Sequence, residues 1–117
     1  MNFLKKEISM FQKALRAAGR RAAKKHLPFE LELIDILSQY SDQNGRCFYS
    51  GIDMNIIKKS KDLHDPYKMT LDCKDPAAGY TKNNIVFCIY CINSFKQKMT
   101  QLEIKEICKK VIEYSNV

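Results

Sequence analysis

The strongest constraint in this sequence is the stretch from residue 67 to residue 98, where a tight turn separates two runs of strand character and the second run passes into helical spacing. Residues 67 to 73 (YKMTLDC) make the first strand candidate. Asp75 and Pro76 start the turn, and Gly79 supplies a backbone angle that other residues avoid. Residues 84 to 87 (NIVF) form the returning strand, and from Cys88 to about Lys98 the apolar residues take helical spacing. Thr100-Gln101-Leu102-Glu103 is a capping box that opens a last helix. In that helix Ile104, Ile107, Cys108, Val111 and Ile112 share one arc, which predicts a docked face with Cys108 in the core.

A chain of 117 residues, 45% of them hydrophobic, supports one modest core, so a single domain over 1–117 is expected. Its parts are a basic N-terminal helix over 1–26, a unit over 45–98 and a C-terminal helix over 100–115. No run approaches the roughly 20 apolar residues of a membrane span, and no apolar block of signal-peptide type follows the first charges. Five cysteines, an odd number without secretory context, favour free thiols or a metal site over disulfides. These features predict an intracellular, cytoplasmic or otherwise reducing, location.

The net charge of +7 is concentrated at one end. Residues 1 to 26 carry eight Lys or Arg against Glu7 alone, while the remainder sums to zero. Leu4, Ile8, Phe11, Leu15, Ala18 and Ala22 form a helical stripe, with Lys5, Lys6, Lys13, Arg16, Arg20 and Lys24 on the far side. A basic face of this kind reads as a contact surface for phosphates, with Arg16, Arg20 and Lys24 as the candidate phosphate-binding residues. Its alternatives are a solvated charged face and a membrane surface, but the stripe thins to alanine and offers little area to lipid. Pro28 ends the helix, and His26 beside it is a phosphate contact or a junction residue. A second helix is expected over about 32 to 42, then a turn at Asn44-Gly45, a short strand or knuckle at residues 47 to 51 (CFYSG), and an exposed connection over 57 to 68.

In residues 67 to 96 the sequence resembles the HNH endonucleases, also called the His-Me finger or ββα-metal family. The likeness is to small phage-type members with an (S/T)-L-D-x-x-D-P-x-x-G-Y-x-x-x-N segment followed by N-x-x-K. The matching positions are Thr70, Leu71, Asp72, Asp75, Pro76, Gly79, Tyr80, Asn84, Asn93 and Lys96. More loosely, residues 21 to 31 and the knuckle resemble the family's basic lead-in and C-x-x-(C/S/T)-G turn, so the likeness spans about residues 20 to 103. The fold expected is therefore α+β and helix-dominant: a small domain with a ββα-metal finger, a basic N-terminal helix and a C-terminal helix.

The resemblance implies that Asp72 and Asn93 are oxygen ligands of Mg²⁺ or Mn²⁺ in phosphodiester hydrolysis, that Asn84 holds the hairpin loop, and that Lys96 faces a phosphate. It also implies double-stranded DNA as the partner, entered at the minor groove. Asp72, Cys73, Asn84 and Asn93 are thus the candidate catalytic set. Active members carry a general-base His after the first-strand Asp, and many phage-type relatives carry Arg; this chain has Cys73. A thiol is not the usual activator of water, and His64 is the candidate surrogate base. Related fingers often hold a structural Zn²⁺ on two cysteine pairs. Here Cys47, Cys88 and Cys91 are candidates, but Ser50 stands in the fourth place and Ile92 separates Cys91 from Asn93. The alternative is that these are buried free thiols.

Two functional classes follow, a metal-dependent endonuclease and a nucleic-acid-binding or structural subunit that lost the base at Cys73. A lipid-binding helix ranks third. Phosphate contacts do not distinguish DNA from RNA, and the sequence leaves specificity and oligomeric state open.

Overall fold

A computed structural model of the chain describes residues 1–59 and 65–115. Four helices and two small two-stranded sheets among the described residues make it an α+β domain, with helix dominant. The order is α1 (Lys5–Lys25), β1 (Phe29–Glu30), α2 (Leu33–Asp42), β2 (Met69–Cys73), β3 (Tyr80–Thr81), β4 (Ile85–Ile89), α3 (Tyr90–Lys96) and α4 (Gln101–Tyr114).

α1 begins directly after the first residue of its apolar stripe because Leu4 is the N-cap, its N–H donating to Glu7 Oε1 at 2.8 Å. It ends where His26 adopts the left-handed conformation (φ 57°) and Leu27 N–H reaches back to the Ala22 carbonyl at 2.9 Å. This Schellman-type closure, followed by Pro28, makes His26 the junction residue. The apolar stripe buries Phe11, Ala18 and Ala22. Phe11, Tyr40 from α2 and Phe87 from β4 meet edge to face with ring centroids 5.0–5.7 Å apart, forming the centre of the core.

β2 and β4 are antiparallel, Met69 opposite Ile89 through Cys73 opposite Ile85. β4 is buried along its whole length, whereas β2 alternates, with Met69, Leu71 and Cys73 inward and Thr70 and Asp72 on the opposite face. The other edge of β4 is closed by Gln43, whose side-chain amide donates to the Phe87 carbonyl and accepts from the Phe87 N–H, both at 2.9 Å. The knuckle is a tight turn: Cys47 N–H donates to Ile52 O, Gly51 N–H to Cys47 O, and Gly51 has φ +72°.

Two expectations change. The 57–68 connection is not wholly exposed, because Asp65 is buried and accepts from Asn55 Nδ2, Lys59 N–H and Tyr67 N–H, each at 3.0 Å. These donors, with the Lys59 N–H foremost, hold the Asp65 carboxyl below its ordinary range. The last helix has the predicted cap, Thr100 Oγ1 accepting from Glu103 N–H, but not the predicted docking. Only Ile104 is buried; Ile107, Val111 and Ile112 are exposed, and so is Cys108, which is not a core residue. Periodicity establishes that a helix has an apolar face, not that something lies against it.

Candidate functional site

The segment between β2 and β4 is organised by one amide. Asn84 Oδ1 accepts from Asp75 N–H at 3.0 Å, and Nδ2 donates to Asp75 O at 2.9 Å and Gly79 O at 2.7 Å. Asp75 Oδ1 in turn caps Ala77 N–H at 3.0 Å, an Asx turn. Gly79 has φ +81°, and a Cβ there would lie 2.7 Å from Pro28 O. The close approach lets Tyr80 N–H bond that carbonyl and pairs β1 with β3, which fastens the end of α1 to the hairpin turn.

The solvent-side face of β2 meets α3 in a matched pair of contacts. Asn93 Nδ2 donates to Thr70 Oγ1 at 3.1 Å, and Lys96, one helical turn on, places Nζ 3.3 Å from Asp72 Oδ2. Residues two apart on a strand thus face residues three apart on a helix. Lys96 is completely buried, with its Nζ also 3.5 Å from Cys73 O. It therefore does not face a phosphate, as the resemblance implied; its ammonium neutralises Asp72 from beneath. Tyr49 of the knuckle donates its hydroxyl to the same Oδ2 at 3.2 Å, and burial together with the Asp72 charge keeps that phenol protonated. Both supports take Oδ2, and Asn93 engages its nitrogen, so Asp72 Oδ1 and the Asn93 amide oxygen are the atoms these bonds leave unused.

These residues lie in a groove of about 1180 Å³ between α1 and β2, whose lining includes Thr70, Asp72 and Asn93. Five cations line it: Lys13, Arg21 and Lys25 from α1, with Lys68 and Lys98. Arg21 is held by Tyr80, its Nε donating to the hydroxyl at 3.0 Å with the guanidinium 5.6 Å from the ring centre. Burial lowers the Lys68 pKa, and the neighbouring Lys13 lowers it further. Arg16, Arg20 and Lys24, the residues expected to bind phosphate, do not line this groove; they are exposed elsewhere on α1. The groove uses the flank of α1 about a quarter turn from its apolar stripe. The available sequence signal was Lys13-Ala17-Arg21-Lys25, a basic row with small residues between.

Cys73 also lines the groove, as a largely buried thiol. Its side chain lies on the inward face, the thiol donates to Gly79 O at 3.3 Å, and burial, with the Asp72 charge adding to it, pushes its pKa up to about 11. His64 lies outside the described residues. Cys47 and Cys88 are buried and Cys91 is exposed, and the described residues contain no cluster of three or more His, Cys, Asp or Glu placed to hold a metal ion. For a hard cation the donors are of the right type: Asp72 and Asn93 present oxygen, and Mg²⁺ is commonly held through one or two carboxylates with water completing its shell.

No family model, no curated protein and no solved structure matches the chain. Among the described residues no helix is long and apolar enough to cross a membrane.

Proposed function

We propose that this chain is a nucleic-acid-binding protein of the HNH endonuclease type, whose site hydrolyses phosphodiester bonds with the help of a divalent cation. The observation that carries this reading is the presence of Asp72 and Asn93 together in the lining of a groove that five cations share. The antiparallel β2–β4 pair followed by α3, with Asn84 tying its loop, is the arrangement a ββα-metal finger would have. Asp72 and Asn93 would hold Mg²⁺ or Mn²⁺, which supplies positive charge at the scissile phosphate and its leaving oxygen. Lys96 and Tyr49 fix the orientation of the Asp72 carboxylate. Lys13, Arg21 and Lys68 attract and position the phosphate.

The protonated, buried Cys73 thiol favours a second reading, a protein of the same type that binds nucleic acid without cleaving it. Incubation of supercoiled plasmid and single-stranded circles with Mg²⁺, Mn²⁺ or EDTA separates the two. Cleavage that needs metal and disappears in Asp72→Ala and Asn93→Ala supports hydrolysis. Binding without cleavage, with activity gained by Cys73→His, supports the second reading. A folded protein that neither cleaves nor binds refutes both.

A further inference from the structure

The groove between α1 and β2 is built unlike a surface for double-stranded DNA. It is concave, and between its cations the walls are apolar, with Met10, Ala17 and Leu27 on one side and Pro76 and Ala77 at the other. Among the described residues Asp72 is the only carboxylate in the lining, and Lys96 already meets its charge. None of the five lining cations has an ion-pair partner among the described residues, although Lys13 is close enough to Lys68 to depress its pKa. A polyanion would relieve that repulsion. A duplex, however, offers only phosphate and sugar to an open surface while its base faces stay stacked inside, so an apolar slot gains nothing from it. A single strand presents both chemistries at once, phosphates for the rims and unstacked base faces for the slot. The Arg21 guanidinium, fixed by Tyr80, adds a planar cation on which a base can stack.

We propose that this groove takes one strand of nucleic acid in preference to an intact duplex, its phosphates along Lys13, Arg21, Lys25, Lys68 and Lys98 and its bases against the apolar walls. The proposal rests on the reading of the chain as a nucleic-acid-binding protein and narrows its substrate to single-stranded or locally opened regions. The exposed Arg16, Arg20 and Lys24 then contribute only general attraction.

The test is fluorescence anisotropy in EDTA, so that binding is read without cleavage, using labelled oligothymidine, oligouridine and a blunt duplex of equal length. Single strands are expected to bind about tenfold or more tightly than the duplex, with Lys13→Glu and Lys68→Glu each weakening the strand about tenfold and lowering the salt slope by about 0.7. The doubly changed Arg16→Glu/Arg20→Glu protein should lose less than either groove variant. Lys13→Gln, a milder change on the exposed side of α1, serves if a reversal unfolds the protein. Comparison of oligothymidine with oligouridine tells DNA from RNA. Duplex binding as tight as strand binding, a larger loss from the outer pair than from the groove, or displacement of the strand by polyglutamate at equal concentration overturns the proposal. Cleavage of duplex by a protein that does not hold single strands overturns it and leaves the proposed function standing. Binding of neither form overturns both.

Discussion

Replacing Lys96 with methionine keeps most of the buried stem and removes only the ammonium. The Asp72 carboxylate, 15% exposed, then retains the Tyr49 hydroxyl as its partner. Breaking a buried ion pair by removing one member costs about 3–5 kcal/mol. The residual exposure of Asp72 and the hydroxyl bond lower this to about 2–3 kcal/mol, since a hydrogen bond to a charged group is worth about 1.5 kcal/mol or more. No cavity cost is added, because methionine fills nearly the same volume. For a domain of this size the melting temperature should fall by about 10 °C, measured by circular dichroism in EDTA. Asp72→Asn should cost more than Lys96→Met, because Lys96 has no exposure at all and its charge would be stranded. The double variant should lose less than the sum, with a coupling of about 2 kcal/mol. Single losses under about 0.5 kcal/mol with additive behaviour, as for a surface pair, would refute the placement of Lys96 beneath Asp72.

Asn84→Ala removes three hydrogen bonds and leaves Asp75 N–H without its partner, while Asp75 O keeps the Ala78 N–H and Gly79 O the Cys73 thiol, so chemical denaturation should show a loss of about 2–3 kcal/mol. In the native protein Cys91 and Cys108 should react promptly with a thiol reagent, whereas Cys47, Cys73 and Cys88 should react only on unfolding; counting labelled thiols by mass decides this. Burial raises the pKa from 9.0 to about 11 at Cys73 and to about 12 at Cys88. In that window the folded thiols keep protons that the unfolded chain releases. The stability they contribute is therefore complete below pH 9.0 and is lost as pH rises towards the folded values, by up to about 1.4 kcal/mol per pH unit for each thiol. Urea midpoints at neutral and alkaline pH measure this, and replacing both thiols with alanine should flatten the loss.

The local elements were legible in the sequence because they depend on neighbours along the chain. Asp75, Gly79 and Asn84 mark a turn by their residue types, and the Thr100 to Glu103 box marks a helix start. What was not legible depends on how elements dock. The charge pattern of α1 identifies a basic helix, but only its packing against β2 decides that Lys13, Arg21 and Lys25 line the groove while Arg16, Arg20 and Lys24 do not. Lys96 reads as a surface charge one turn after Asn93, and its burial follows from the contact of α3 with Asp72. Asp65 looks like another loop carboxylate until Asn55 and the Lys59 and Tyr67 backbones converge on it. The same limitation runs the other way in α4, where an apolar arc predicted a docked face and the structure leaves most of it exposed.

The central claim, that Asp72 and Asn93 form one cation site in the groove, is tested most directly by titrating Mn²⁺ into isotope-labelled protein and following paramagnetic broadening residue by residue. The account predicts that the signals of Thr70, Asp72 and Asn93 broaden first, that excess Mg²⁺ restores them, and that Asp72→Asn abolishes the effect. Broadening that begins instead at exposed carboxylates such as Asp53, or that spreads evenly over the surface, would contradict it.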